Sequence, residues 1–539
     1  MAYDMNNKLT PQNIHNAILQ TLGIKLPASE VARLGKIQAN WNFYEGFHWE
    51  GVEDTGKPEV TVNYARAFVD KFVSFELGKG FQVKMKPEME KLPEEQSPLY
   101  FINRVWGENS KIETCIEMGQ SKSIAGDAWI QVRYEPVTLA GKPNPEFHDP
   151  FGEYPNGKIH ILVLPPSIVF PEFDEYHDRK RIKKLSIMYP IKKEEKNTFG
   201  FATGVKNVIY KQIWTEETVE IWEGEKMLNK FPNKYKLLPF KQIKNFPVQG
   251  KNYGVGDIDD VIPLNMEYNL KKSDVSEIID YHSSPITAVF GARVGNLERG
   301  ANKVWGGLPK DARIENLKLD GDLIAAQSYI DDIKRAMFEV GNMPEGVLGG
   351  DLSISNTSGV ALQISLMPIL ERVRIKQAIS KEAIEYINKL ILYIGLAEKM
   401  ITIPDSIQKK DFFYNEVHFE SILPKDGVLE LQEIESEMRM GLENREGAMK
   451  RLNKSNIQGK MEAIDKEREE NPSVYGLEDV NKQLELAEGQ AKIAQKYAPP
   501  TPMMGNAPST LGEKPVGTNA DGNTKEINAG FTNSPEPKK

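Results

Sequence analysis

The sequence predicts an α+β fold, mainly α, and three observations predict it. Helical periodicity dominates before residue 127 and after residue 257. Between them lies a run of short apolar segments closed by Pro or Gly, which reads as an antiparallel, meander-like sheet. Finally, a Gly-rich stretch at 343–358 opens into a helical pattern that continues to about residue 400. Unbroken, about 42 residues at 1.5 Å each would span roughly 60 Å, wider than a typical domain. That length suits the spine of an assembly better than the wall of a pocket.

The chain has 539 residues, 40% hydrophobic and 27% charged, enough for several domains with a sizeable core. No run of about 18 apolar residues occurs, so no transmembrane helix and no membrane partner are expected. The N-terminus, MAYDMNNKLT, lacks the basic-then-apolar pattern of a signal peptide, which points to the cytoplasm or to a particle assembled there. A single cysteine, Cys115 in the helical pattern KIETCIEMG, excludes internal disulfides and multi-cysteine metal sites. Its spacing reads as a half-buried helix position. The histidines at 15, 48, 148, 160, 177, 282 and 418 form no HxxxH pair, so neither a metal site nor a cofactor is expected. The net charge of −9 argues against tight non-specific DNA binding, which needs a clustered basic surface. It leaves room for a protein past which DNA slides without sticking.

In chain order, Thr10 and Pro11 form a good helix start, with Thr10 as N-cap. A helix from about Ala28 carries Val31, Leu34, Ile37, Trp41 and Tyr44 at helical spacing and ends near Gly46. The aromatics Trp41, Phe43, Tyr44, Phe47 and Trp49 fit a packed corner, with a binding platform as the other reading. In VNYARAFVDKFVSFELGKG, Ala65, Phe68, Val69, Phe72, Val73 and Phe75 form one apolar face. Gly78 fits the left-handed position beyond its end. Residues 110–123 read as helix. Strands follow at AWIQVRYEP, KIHILVLP, SIVFPEF, KKLSIMYPI, NVIYKQIWT, TVEIWEG and KLLPFKQI. The acidic run Glu172, Asp174, Glu175 and the basic run Arg179, Lys180, Arg181, Lys183, Lys184 read as solvated loop and edge-strand charges.

Charge then divides the central stretch. A helix over 257–284 carries seven acidic residues against two basic ones, and its apolar stripe (Leu264, Leu270, Val275, Ile278, Ile279) is incomplete. Pro263 makes its start a kink or a false start. A second helix, over about 322–342, carries four acidic against two basic residues. Between them the sign inverts: Arg293, Arg299, Lys303, Lys310, Arg313 and Lys318 oppose Glu298, Asp311 and Glu315. That Gly-rich insertion, with its isolated Trp305, cannot bury much alone. After the long helix, DFFYNEVHFESI reads as a strand. Residues 426–496 read as charge-rich helices broken near Gly441, and the proline-rich 497–539 reads as a disordered tail.

Four local patterns resemble those of tailed-bacteriophage portal proteins, the ring subunits that connect head to tail. They are FYEG followed by NYARAFVDKFVSFELGKG, then GDIDDVIPLNMEYNLKKSD, NTSGVALQ after a Gly-rich loop, and GLENREGAMKRL. The resemblance implies a portal-like architecture: a wing (1–256), stem helix 1 (257–284), a clip (285–319), stem helix 2 (320–342), a tunnel loop (343–358), the long kinked helix with wing completion (359–425) and a helical crown (426–496). The tail at 497–539 matches no element of that family. It also implies a homo-oligomeric ring, usually of twelve subunits, at a capsid vertex of the virion, reached through assembly in the host cytoplasm. Double-stranded DNA is the channel's cargo, during packaging and ejection. The terminase motor, head–tail adaptor proteins, and the major capsid and scaffolding proteins are the implied partners.

Within that frame Leu348, Gly349, Gly350, Asp351, Ser353 and Asn356 are the expected DNA-facing residues of the loop, where glycines free φ so that the loop can change shape. An ordinary flexible connection is the other reading. Ser358 is the expected N-cap of the long helix and Pro368 its kink. Arg293, Arg299, Lys303 and Trp305 are the clip residues suited to DNA phosphates or to a partner surface, or else to a solvated hairpin face. Acidic stem helices would repel DNA weakly and avoid deep binding minima, or simply face solvent or a neighbouring subunit. No GxxxxGK[ST], HExxH or GxSxG occurs, so no catalytic residues are expected. Two further readings stand beside this one: a cytoplasmic nucleic-acid-processing enzyme, and a helical scaffold without a channel.

Overall fold

Asn63 shows how the sequence starts an element. Its side chain accepts the Arg66 amide at 2.9 Å and begins the aromatic-rich helix that the rest of the first core surrounds. The computed structural model describes residues 26–49, 58–139, 142–145, 147–174, 176, 181–196, 202–283, 287–291, 309–316, 323–349, 359–420, 427–452 and 457–470. They fall into two units, within Met1–Pro424 and Lys425–Lys539. The expected helix at Thr10, the helix beyond Gly476 and the proline-rich tail lie outside the described residues.

The first unit opens with α1 (Ala28–Glu45), which ends at Gly46 with φ of 100°. Next come α2 (Tyr64–Leu77), β1 (Gln82–Lys84), α3 (Pro98–Glu108) and α4 (Lys111–Ala125). Gly78, expected in a left-handed conformation, has φ of −61°. Gly80 takes that role instead, with φ of 69°, and its amide donates to the Leu77 carbonyl at 2.8 Å. The aromatic corner at the end of α1 is packed in part: Phe43 stacks on His48 at 3.7 Å and the Tyr44 hydroxyl donates to Asp70 at 2.8 Å, while Phe47 is exposed. Cys115 is fully buried, beyond the half-burial expected, and burial pushes its thiol up to about 12.

The sheet region contains β2 (Asp127–Glu135), β3 (Lys158–Leu164), β4 (Val169–Phe173), β5 (Ile182–Lys196), β6 (Ala202–Thr215), β7 (Thr218–Glu223), β8 (Lys226–Pro232) and β9 (Phe240–Lys244). Five of these run as the meander β8-β7-β6-β5-β4, and β9-β2-β3 form a second, three-stranded sheet, antiparallel throughout. Strand β8 has no counterpart in the sequence reading. Its seven residues are all exposed and end in Pro232, so it shows no in–out alternation. The charge runs at 172–184 are not merely solvated. Lys184 reaches Glu172 at 2.6 Å and Lys183 reaches Asp174 at 3.2 Å, across the β4–β5 pair.

Beyond β9 the chain forms α5 (Val261–Ser283), the antiparallel pair β10 (Thr287–Phe290) and β11 (Arg313–Asn316), α6 (Leu323–Val340), and the 39-residue α7 (Gly359–Ala397). At 1.5 Å per residue α7 is about 58 Å long. The expected strand after it is only β12 (Glu416–His418), antiparallel to β1, because Lys409–Phe412 forms a helical turn. Two apolar cores share α7. The C-terminal half packs Ile384, Ile387, Ile391 and Ile394 against α3, α4 and β2, and Asn388 accepts the Trp106 indole N–H at 2.8 Å. The N-terminal half packs Ile369 and Val373 against Phe68, Phe72, Met337 and Phe338. Each fully buried Phe or Ile contributes roughly 1.5–3 kcal/mol.

The second unit contains α8 (Gly427–Arg439), α9 (Arg445–Arg451) and α10 (Ile457–Glu470). Gly441, with φ of 70°, supplies the break between the first two, where the sequence places it. Arg451 pairs with Glu437 across that break.

Candidate functional site

The stretch from α5 to α7 is built as helix, hairpin base, helix, loop and long helix. Helix α5 begins at Val261, so Asp257, Asp259 and Asp260 precede it. Pro263 then falls in the first turn, where its missing N–H costs nothing. This corrects the charge count: on the helix, Glu267, Asp274, Glu277 and Asp280 face Lys271 and Lys272. Lys271 lies 3.7 Å from Glu267 and 3.2 Å from Asp274. On α6, Asp332 pairs with Arg335 at 3.1 Å, and Lys334 reaches Glu345 at 3.0 Å. The pair is therefore only mildly acidic.

The incomplete apolar stripe on α5 has a physical cause. Its buried face is polar: Asn265, Asn269 and Ser273, spaced four apart, are each at most 2% exposed. They hydrogen-bond the extended segment that leads into α2. Asn265 donates to the Val62 carbonyl at 2.8 Å and accepts the Ala65 amide at 3.1 Å. Asn269 accepts the Val62 amide at 3.0 Å, and Ser273 accepts the Val60 amide at 3.1 Å. The Asn269 amide also meets His48 Nδ1 at 2.7 Å, while His48 Nε2 donates to the Phe43 carbonyl at 2.9 Å. Burial holds His48 below the usual imidazole value, so the ring is neutral with its proton on Nε2. On its other side α5 packs Tyr268 and Val275 against Ile330 and Ile333 of α6.

The connection from α6 to α7 begins tightly. Gly341 lies so close to Phe68 that an added Cβ would come within 2.4 Å of the ring, and Met343 is buried. A 3-10 turn at Glu345–Leu348 follows. Leu348 packs half-buried against the second core, so it sits at the root of the loop and does not project from its tip. Gly349 is exposed with φ of 93°. Gly350, Asp351, Ser353, Asn356 and the expected cap Ser358 lie outside the described residues, as do Arg293, Arg299, Lys303 and Trp305. Pro368 sits inside α7 on its exposed side, where water can satisfy the carbonyl left without a donor.

Between the two cores lies a layer of buried charge that sequence reasoning missed. Glu76 of α2, Lys122 of α4, Lys376 of α7 and Asp257 are at most 3% exposed. Lys122 pairs with Glu76 and donates to Ser380 Oγ at 2.7 Å. Lys376 donates to Asp257 at 2.5 Å and to Ser123 Oγ at 3.0 Å. Arg372 donates to the other Asp257 oxygen at 3.0 and 3.1 Å. Burial alone would raise the Asp257 carboxyl, but Lys376 and Arg372 more than reverse it, to about 2. Burial lowers Lys122, and Glu76 opposes that. These contacts fasten the strap at 254–260, which leads into α5, to the middle of α7. Gly126 and Gly254 let that strap cross the start of β2 closely: an added Cβ on Gly126 would lie 2.6 Å from the Gly254 carbonyl.

A cleft of about 1070 Å³ opens between β9, residues 247–252 and α7. Lys241 lies over the Tyr386 ring there at 5.0 Å. Among the described residues no group of His, Cys, Asp and Glu is placed to hold a metal, and no helix is long and apolar enough to cross a membrane.

Residues 25–473 match the family described as phage portal protein, SPP1 Gp6-like. No curated protein matches the chain.

Proposed function

The chain belongs to the SPP1 Gp6-like family of phage portal proteins, structural components of the capsid vertex, and from that premise we propose that twelve copies close into a ring around a channel for double-stranded DNA. The DNA passes inward during packaging and outward during ejection. The observation that carries this reading is the order of elements inside the matched span: α5, the β10–β11 hairpin base, α6, the glycine-bearing loop and α7. In it, α5 and α6 form the stem and residues 285–319 form the clip. Arg293, Arg299, Lys303 and Trp305 of the clip meet the terminase motor first and the head–tail adaptor later. Residues 343–358 form the tunnel loop, with Gly349, Gly350, Asp351, Ser353 and Asn356 toward the DNA and Leu348 packed against the second core. The wing, built from α1 to α4 and both sheets, and the crown, built from α8 to α10, complete the subunit. The capsid and scaffolding proteins surround it.

The weak net acidity of α5 and α6 suits a conduit. Each phosphate neutralised by a cation adds salt-dependent affinity, and a translocating duplex must not meet deep minima. Pairing within the helices, as at Lys271 and Arg335, further flattens the wall. Shortening the loop by removing residues 346–355 tests the loop assignment. The ring forms as before and DNA packaging fails; normal packaging with the short loop defeats the assignment.

A further inference from the structure

The buried charge layer has three cations, Arg372, Lys376 and Lys122, against two carboxylates, Asp257 and Glu76. Each carboxylate has a cation of its own. Arg372 holds Asp257 Oδ1, and Lys122 holds Glu76 Oε1 together with the Ser380 hydroxyl at 2.7 Å. Lys376 is the surplus cation. It is hydrogen-bonded to Asp257 Oδ2 at 2.5 Å and stands 3.4 Å from Glu76 Oε2. That second oxygen is fully buried and accepts no hydrogen bond. Such an acceptor is costly in a native interior, and the cation that would satisfy it is within an ångström of doing so.

We propose that this layer is a two-position latch in which Lys376 exchanges between Asp257 and Glu76, so that the strap leading into α5 is alternately clamped to and released from the long helix. Either position leaves each carboxylate with one dedicated cation, which keeps the two states close in energy. The motion is small, since the Lys376 ammonium already stands 2.5 Å from Asp257 Oδ2 and 3.4 Å from Glu76 Oε2, with the Phe72 ring 5.0 Å away. When Lys376 turns to Glu76, Asp257 is held by Arg372 alone, whose side chain is 20% exposed. The strap then keeps its backbone ties, Asp257 N–H to the Ser123 carbonyl at 2.7 Å and Val255 N–H to the Phe246 carbonyl at 3.1 Å. The latch therefore adjusts how firmly α5 is joined to the rest of its unit, at the point where α7 crosses from one core to the other. It is a property of the folded chain and does not depend on what the assembly carries.

Hydrogen–deuterium exchange of the full chain tests it, read on the peptide covering 254–262 with a β2 peptide as reference. Glu76→Gln removes the second seat and keeps Lys376 on Asp257. The strap amides then exchange more slowly than in wild type, by about tenfold if the released state supplies most of the opening. Asp257→Asn does the reverse and slows the α2 amides near Glu76. A static network predicts the opposite sign, since losing Glu76 loosens everything around it. Strap exchange that is unchanged or faster in folded Glu76→Gln overturns the latch. Should that variant not fold, Lys122→Met with Glu76→Gln, which removes a carboxylate and its own cation together, is read in the same way. Failure of both to fold also overturns it, because the double variant leaves Lys376 and Arg372 on Asp257 and strands no buried charge.

Discussion

Replacing Asp257 by Asn breaks the joint between strap and long helix at its most buried point. The carboxylate is held by Lys376 at 2.5 Å and by Arg372 at 3.0 Å, with Asp257 only 3% exposed. Its folded value near 2, against an ordinary 3.8, corresponds to about 2 kcal/mol of preference for the charged form. Asparagine keeps one acceptor but loses the charge, so Arg372 loses its carboxylate and Lys376 must share Glu76 with Lys122, two buried ammonium groups on one carboxylate. Unpairing a buried ion of this kind costs about 3–5 kcal/mol. At pH 7 the variant should lose stability in that range. The folded carboxyl is depressed, so its contribution is present above about pH 4 and disappears as pH falls toward 2. The gap between wild type and variant should narrow by about 2 kcal/mol over that window. Denaturant unfolding followed by tryptophan fluorescence, at matched protein concentration because assembly adds stability, measures both. A loss under about 0.5 kcal/mol at pH 7, the range of ordinary surface substitutions, would refute the reasoning.

Three other outcomes follow from the same joint. Asn269→Ala strands the partly buried Val62 amide and the buried His48 Nδ1 and should cost about 1–3 kcal/mol in denaturant unfolding, the range of one buried unsatisfied group; a cost below 1 kcal/mol would contradict the polar ladder. His48 is held below its ordinary value, so its contribution is complete above pH 6.5 and declines as pH falls below that. The unfolding midpoint of wild type should thus drop more between pH 7 and 5 than that of His48→Gln, and equal drops would count against the neutral tautomer. Gly126→Ala adds a Cβ 2.6 Å from the Gly254 carbonyl at φ of 88°, and a loss of more than about 1 kcal/mol is expected by the same assay.

The sequence showed what local chemistry writes. Gly46 and Gly441 mark element ends through positive φ, and each stands where a helix stops. The strands from β2 to β7 announce themselves by branched and aromatic residues between turns. What stayed hidden was pairing at a distance. Lys376 reads as one more charge on an amphipathic helix, yet its partner Asp257 is 119 residues away. Asp257 was counted as a helix charge facing outward because nothing local says that a cation waits behind it. The Asn265–Asn269–Ser273 ladder left a trace, the gap in the apolar stripe of α5, but a polar buried face looks like a poor amphipathic helix until its partner backbone is seen. Strand β8 was missed because an exposed strand has no hydrophobic side to alternate with.

The central claim is that this chain closes into a ring with a channel wide enough for duplex DNA. Negative-stain electron microscopy of the purified full-length protein tests it most directly. The account predicts rings with a central hole that admits a double helix. A stable monomer at low and high salt alike would contradict it.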